Sequence, residues 1–156
     1  MLFRSAPLEV QSLLYGCLKS CCRLMELVQK GQSARLTQQR LELTRVWTRD
    51  LRVFLLKHYW VTSKTMQVLR RRPTEQYGDQ QSQNEFNVQP EVIPHWLQEW
   101  LDHRGGYLIG NMRTGRPDFR FYSLGNSLGS LFGLLTGPQQ RALFRLVLHK
   151  IGRAHV

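Results

Sequence analysis

The stretch HRGGYLIGNMRTGRPDFRFYSLGN, His103 to Asn126, decides how this chain is read. Gly105, Gly106, Gly110 and Gly115 are too dense for a helix to run through its first half. Tyr107, Phe119, Phe121 and Tyr122 carry more aromatic surface than a plain linker needs. Arg104, Arg113, Arg116 and Arg120 surround a single carboxylate, Asp118. Phe119 and Phe121 alternate with Asp118 and Arg120, so one of the two sets is expected to pack inward. The segment therefore reads as a rigid, structured loop.

Amphipathic helices flank it. Pro7 suits a first helical turn because it has no N–H to lose there. After it Val10, Leu13, Leu14, Cys17, Leu18, Cys21, Leu24, Met25 and Val28 recur at three- and four-residue steps, which predicts an inward stripe on a helix ending near Gln29. Gly31 stops that helix and Ser33 can cap a second one. The second helix should turn Leu36, Leu43, Val46, Trp47, Leu51, Phe54 and Leu55 inward and finish near HYWV, His58 to Val61. The short polar turn between them makes an antiparallel hairpin. PTEQYGDQQSQNEFNVQP, from Pro73, is polar and proline-bounded, and is too long for a simple turn. Pro94 opens a short helix with Trp96, Leu97 and Trp100 on one side. Ser123 to Leu135 predicts another, in which Gly125, Gly129 and Gly133 at four-residue steps imply close packing against a neighbour. Gln139 to Lys150 makes the last. No strand beyond a few residues fits the pattern, so the class is all-α.

With 156 residues, 42% hydrophobic and 21% charged, the chain can bury a core as one domain. No apolar run reaches the length of a membrane span, and no charged-then-apolar leader opens the chain. Cys17, Cys21 and Cys22 are odd in number, and Cys17 and Cys21 lie on the apolar stripe, so buried free thiols are expected in a reducing compartment. No His or further Cys stands at zinc spacing, which leaves no metal site to predict. The net charge of +11 comes from 22 basic residues, 17 of them Arg, spread along the whole chain. Only Arg70, Arg71 and Arg72 form a tight run, and a solvated turn accounts for them better than a phosphate grip does.

Loops at one end of a helical scaffold are where binding residues collect. Tyr59, Trp60, Tyr107, Phe119, Phe121 and Tyr122 offer flat faces, while Asn111, Asp118, Arg120 and Asn126 offer fixed hydrogen-bonding groups. Apolar platforms ringed by polar groups suit a sugar. Asp118 lies between Arg116 and Arg120, and a neighbouring guanidinium holds a carboxyl ionised. A general acid for glycoside cleavage needs the reverse. Asp118 is thus better suited to orienting Arg120 or accepting a substrate hydroxyl. GGYLIGN is a weak phosphate cradle, since no GK[ST] follows and no strand precedes it. Neither His58 nor His95 belongs to a nucleophilic triad motif.

RGGYLIGN followed by DFRFYSLGN resembles the alkaline and neutral invertases, sucrose-cleaving glycoside hydrolases whose pattern here runs R-G-G-Y-[FL]-I-G-N, a polar spacer, then D-F-R-[WF]-F-x-L-G-N. PLEVQSLLYGCLKS, from Pro7, is similar to that family's P-L-E-I-Q-x-L-F-Y-x-A-L-R. HYWV resembles its Y-Y-W-[VI]. EQYGDQQSQNEFNVQPEVIPHWL, from Glu75, is similar to a family segment ending N-x-F-N-I-Y-P-[DE]-x-I-P-x-W-L. Order and approximate spacing agree from about Met1 to Lys150.

The resemblance implies that residues 1–150 are part of an (α/α)6 toroid of helical hairpins with long rim loops. It implies inverting hydrolysis of sucrose, with no metal or cofactor, no nucleic-acid partner and no membrane. It fits a cytoplasmic protein, or one whose targeting segment lies upstream, and is compatible with a homo-oligomer. An inverting pair of carboxyls stands about 6.5–9.5 Å apart, leaving room for water. The substrate-binding candidates are Gln11, Tyr59, Trp60, Asn111, Asp118, Arg120 and Asn126. No catalytic residue is assigned within the chain. The family's acid belongs to a D-R-R-M segment whose Met aligns with Met1, and its base belongs to a glutamate-rich segment beyond Lys150. One departure stands out: Ser5 and Ala6 replace a family Gly-His pair. The final residues 151–156, IGRAHV, can be encoded by ATC GGA AGA GCA CAC GTC, which is a sequencing-library adapter read in frame, so they are expected to be a non-native tail. Two other assignments stay open. One is a basic helical nucleic-acid-binding module using Arg70 to Arg72, Arg113, Arg116 and Arg120; the other is a catalytically dead helical-toroid glycosidase.

Overall fold

The structure, a computed structural model, describes residues 6–28, 34–62, 93–97, 100–101, 106–113 and 116–153. Four helices, α1 (Leu8–Val28), α2 (Ala34–His58), α3 (Ser123–Leu131) and α4 (Gly137–Arg153), carry most of them. Between α2 and α3 lie two short strands, β1 (Asn111–Arg113) and β2 (Arg116–Asp118), paired antiparallel with Asn111 opposite Asp118. The helical class is that predicted, and the strands are no longer than the sequence allows. Arg70 to Arg72, the polar excursion from Pro73, and Gln98, Glu99 and Asp102 of the helix at Pro94 lie outside the described residues, as do the side chains of Arg113 and Arg116.

Helices α1 and α2 form the expected antiparallel hairpin. Glu26 of α1 meets Arg45 of α2 at 2.9 Å, and Cys22 Sγ lies 3.8 Å from Thr48 Oγ1. Descending residue numbers on one helix match ascending ones on the other. Helix α3 crosses α1 closely: Ser12 Oγ donates to Gly125 O at 3.1 Å in a buried setting. A Cβ on Gly125 would lie 2.7 Å from Leu8 Cγ, and one on Gly129 would lie 3.1 Å from Leu108 Cδ1. Those two glycines admit neighbours as their spacing predicts. Gly133 serves another purpose. Its φ of +72° is the left-handed turn that ends a helix, so α3 stops at Leu131 instead of Leu135.

Helix α4 begins at Gly137, two residues earlier than predicted, and continues through Ile151 to Arg153. Gln139 Oε1 accepts from the Thr136 N–H at 2.9 Å and its hydroxyl at 2.8 Å. Gln139 in a Thr-x-x-Gln pattern thereby satisfies the Thr136 N–H at the start of the helix, a capping signal that a helix start at Gln139 passes over.

The core gathers Leu8, Leu55, Tyr59, Leu97, Tyr107, Leu108, Phe119, Leu134 and Leu146. The inward face of α1 differs from the predicted stripe. Leu8, Ser12, Tyr15 and Gly16 are buried, whereas Val10, Leu13, Leu14, Leu24 and Val28 are exposed. On α2, Leu55 is buried and Leu51 packs against the core, but Leu43, Trp47 and Phe54 are exposed. The physical reason is that both helices are apolar on more than one side, and α3 and its C-cap residue seat against the smaller residues, with Ser12 bonded to Gly125 O and Gly16 under the Phe132 ring. Cys17, expected to be buried, is exposed; all three cysteines are free thiols.

Candidate functional site

One end of the helical pair is where the site forms, because the start of α1, the end of α2 and the start of α3 converge there. As α2 ends, the chain turns extended and pairs with the loop. Val61 N donates to Tyr107 O and Ile109 N to Tyr59 O, each at 2.9 Å, with Trp60 opposite Leu108. Gly106 permits this approach, since a Cβ there would sit 1.9 Å from Val61 O. On the other edge, Leu8 N donates to Gly110 O at 2.9 Å and Pro7 bridges to Asn111. The loop segment 106–111 is thus a strand-like plate clamped between the chain entering α1 and the chain leaving α2.

Side chains lock the plate. Asn126 lies on α3 with 1% exposure; its Oδ1 accepts from Leu108 N and its Nδ2 donates to Leu108 O, both at 2.8 Å. The same Nδ2 also donates to Tyr122 O at 2.9 Å. Asn111 Oδ1 accepts from Ala6 N at 2.9 Å. Tyr59 is buried with its hydroxyl donating to Ala6 O at 2.5 Å, and burial pushes that hydroxyl up to about 12. Tyr107 donates its hydroxyl to Phe119 O, and burial followed by the Asp118 charge raises it well above the ordinary value. Phe119 is buried, and Phe121 stands edge-on to Tyr107 with ring centroids 5.5 Å apart. The phenylalanines are therefore the inward set, as their alternation predicts.

Asp118 and Arg120 form the polar face. The Asp118 side chain is 15% exposed and the Arg120 side chain 56%. Arg120 Nε donates to both carboxylate oxygens, at 2.9 and 3.1 Å, and Nη2 donates to Oδ2 at 2.6 Å. The Arg120 N–H adds a bond to Oδ1 at 3.0 Å, and the Tyr122 hydroxyl reaches Oδ2 at 3.3 Å. Burial alone would push the Asp118 carboxyl up. The Arg120 side chain, its N–H and the Tyr122 hydroxyl outweigh burial and hold it below the ordinary carboxylate value. Such a group stays ionised at neutral pH, can orient a cation or accept a hydroxyl, and has no proton to donate. A separate cleft of about 320 Å³ lies beside Trp60, lined also by Val61, Gly106, Pro138 and Gln139.

The structure brings six of the seven predicted residues onto this plate. Tyr59, Trp60 and Asn126 meet at residues 107–109, while Asn111, Asp118 and Arg120 cluster at the hairpin. Tyr59 and Asn126 are buried with their polar atoms on backbone partners, and Asn111 anchors Ala6. Gln11 is half-buried in the first turns of α1, and no described hydrogen bond joins its side chain to the rest. Tyr122 was read only as a flat face; its contact with Asp118 was hidden because it depends on the turn leading into α3. Among the described residues no group of three His, Cys, Asp or Glu could hold a metal ion, and no helix is long and apolar enough to cross a membrane.

Fold and loop together define a mostly helical protein whose helix ends are bridged by a rigid arginine–carboxylate loop with an aromatic backing. The chain belongs to the alkaline and neutral invertase family, whose family model matches residues 1–154. It is 37% identical, over 90% of its length, to neutral/alkaline invertase 1, mitochondrial, of Oryza sativa subsp. japonica. It is 35% identical, over 92% of its length, to alkaline/neutral invertase C, mitochondrial, of Arabidopsis thaliana. Cytosolic invertase 1 of Oryza sativa subsp. japonica is 31% identical over 90% of the chain. The chain spans only 21%, 21% and 24% of these relatives, respectively.

Proposed function

We propose that this chain is one portion of an enzyme that hydrolyses sucrose to glucose and fructose with inversion, built as an (α/α)6 toroid. In this reading residues 1–150 supply part of the rim and wall of the sugar pocket. The acid and base lie on segments outside them, so Asp118 and Arg120 bind and polarise substrate without transferring a proton. Trp60 and Gln11 face the sugar, while Tyr59, Asn111 and Asn126 fix the wall behind it. The family match over residues 1–154 carries this reading, and the ionised Asp118–Arg120 pair fits it. The names of the relatives place some in mitochondria or chloroplasts and one in the cytosol, and a cytoplasmic or organellar enzyme is proposed accordingly. Residues 151–156 are proposed to be adapter-derived, and sequencing the native transcript through this point tests that.

The test of function is to express the reading frame extended on both sides and follow sucrose by NMR. Release of glucose and fructose, with the first-formed anomer inverted relative to sucrose, is the expected result. No cleavage, or a retained anomer, refutes the proposal. A nucleic-acid-binding module would instead show affinity that falls steeply with salt, whereas sugar binding is nearly insensitive to it.

A further inference from the structure

Arg120 is exposed on a loop yet held from two sides, one by Asp118 and the other by Tyr122. A solvated arginine ordinarily samples many rotamers, and fixing one costs entropy that exposed ion pairs seldom recover. Here Asp118 grips the Nε–Nη2 edge of the guanidinium. The Tyr122 hydroxyl lies 3.3 Å from the same carboxylate, and the guanidinium carbon stands 5.7 Å from the centre of the Tyr122 ring. The ring in turn rests on bare backbone, since a Cβ on Gly110 would lie 2.1 Å from Tyr122 Cδ2. Gly110 is itself fixed by hydrogen bonds to Leu8 and Asp118. The bonds to Asp118 use Nε and Nη2 and leave Nη1 on the far edge of the guanidinium.

We propose that Tyr122 is a positioning residue: ring and hydroxyl together clamp the Asp118–Arg120 pair so that the Nη1 edge is presented as a fixed donor to hydroxyls of a neutral sugar. This rests on the sugar-hydrolase reading above. The paired carboxylate cancels the arginine charge, so the edge offers directed donors without the net charge that would favour a phosphate or carboxylate ligand. Fixing the donor before substrate arrives removes an ordering cost from binding. The clamp therefore acts on affinity more than on the chemical step. In the family pattern quoted above this position is Phe, which keeps the ring, so Tyr122→Phe isolates the hydroxyl.

Two measurements decide it. In the protein expressed from the extended reading frame, hydrogen exchange at Arg120 Nε–H is followed by NMR; Asp118→Asn is the positive control for release. The expected result is faster exchange in Tyr122→Phe at an unchanged melting temperature. In the sucrose hydrolase, Tyr122→Phe should raise KM for sucrose roughly three- to tenfold, about what one weakened hydrogen bond is worth, with kcat little changed. Unchanged exchange, or a KM that does not move, overturns the clamp. A lower melting temperature with KM unaltered would make Tyr122 merely structural and overturns it equally. If the unsubstituted enzyme ignores sucrose, the functional reading fails, and the exchange measurement alone still decides whether Tyr122 holds Arg120.

Discussion

The carboxamide of Asn126 closes on the backbone of Leu108 as a neighbouring strand would, accepting from its N–H and donating to its carbonyl, both at 2.8 Å. A side chain on α3 thereby fixes the middle of the loop that carries the candidate site.

Replacing Asn126 with Ala should destabilise the fold strongly. Both Leu108 backbone groups would lose their partners while buried, and each orphaned group costs about 1–3 kcal/mol. Chemical denaturation should therefore show a loss of roughly 2–5 kcal/mol with the slope unchanged. Asn126→Asp should also fail, because a carboxylate can accept from Leu108 N but cannot donate to Leu108 O. A midpoint within error of the wild type for either variant would mean that the loop is held by other contacts.

Tyr59 predicts a loss of stability in alkali. Its hydroxyl is pushed up to about 12 by burial, above the value of about 10 for a free tyrosine. The folded pKa is the higher one, so the linked stabilisation is complete below about pH 10 and is lost as pH rises toward 12. Tyr59→Phe removes that pH dependence. It also leaves Ala6 O without its donor, so the variant should be less stable at neutral pH. Ultraviolet titration of tyrosinate should show one late-titrating group fewer in Tyr59→Phe than in the wild type; an ordinary midpoint for that group would contradict the burial.

Asp118 gives the opposite sign. Its folded pKa is depressed, so its contribution is present above about pH 4, the unfolded value, and disappears as pH falls through the folded one. In Asp118→Asn the stability difference from wild type should be flat from about pH 5 to 8 and shrink in acid. In the proposed sucrose hydrolase the same substitution should lower turnover without moving the acid limb of the pH profile. Loss of that limb, with rescue by a substrate bearing a better leaving group, would make Asp118 the proton donor.

The loop at 103–126 was legible because glycine, arginine and aromatic residues crowd there, and the helices were legible from their periodicity. The direction in which α1 faces was not. Val10, Leu13, Leu14, Leu24 and Val28 outweigh the buried Leu8, Ser12 and Tyr15 in apolar character, so hydrophobic patterning selected the face that the described structure leaves open. Ser12 and Gly16 mark the closely packed side by their small size, a weaker signal than a leucine stripe. Asn126 read as a ligand group for a similar reason: in sequence an amide facing a sugar and an amide facing backbone are identical. Only the fold separates them.

The last expectation concerns the chain on its own, which should associate and should not cleave sucrose. Helix α1 is apolar on two opposite sides, one covered by α2 and α3, the other exposing Val10, Leu13 and Val28 and leaving Leu24 61% accessible. A helix that is hydrophobic all round belongs in an interior. An open apolar face of this kind drives association or a loosely packed state. The relatives are roughly three to four times as long, since the chain spans 21% to 27% of them, and that is the scale of structure available to cover such a face. Light scattering of the purified 156-residue chain should report oligomers, and replacing both Leu13 and Leu24 with Gln should reduce them while leaving the melting temperature nearly unchanged. A monomer that unfolds cooperatively and releases glucose from sucrose, with that activity vanishing when Glu9 or Asp118 is replaced, would reverse the conclusion. A carboxylate within these residues would then be catalytic.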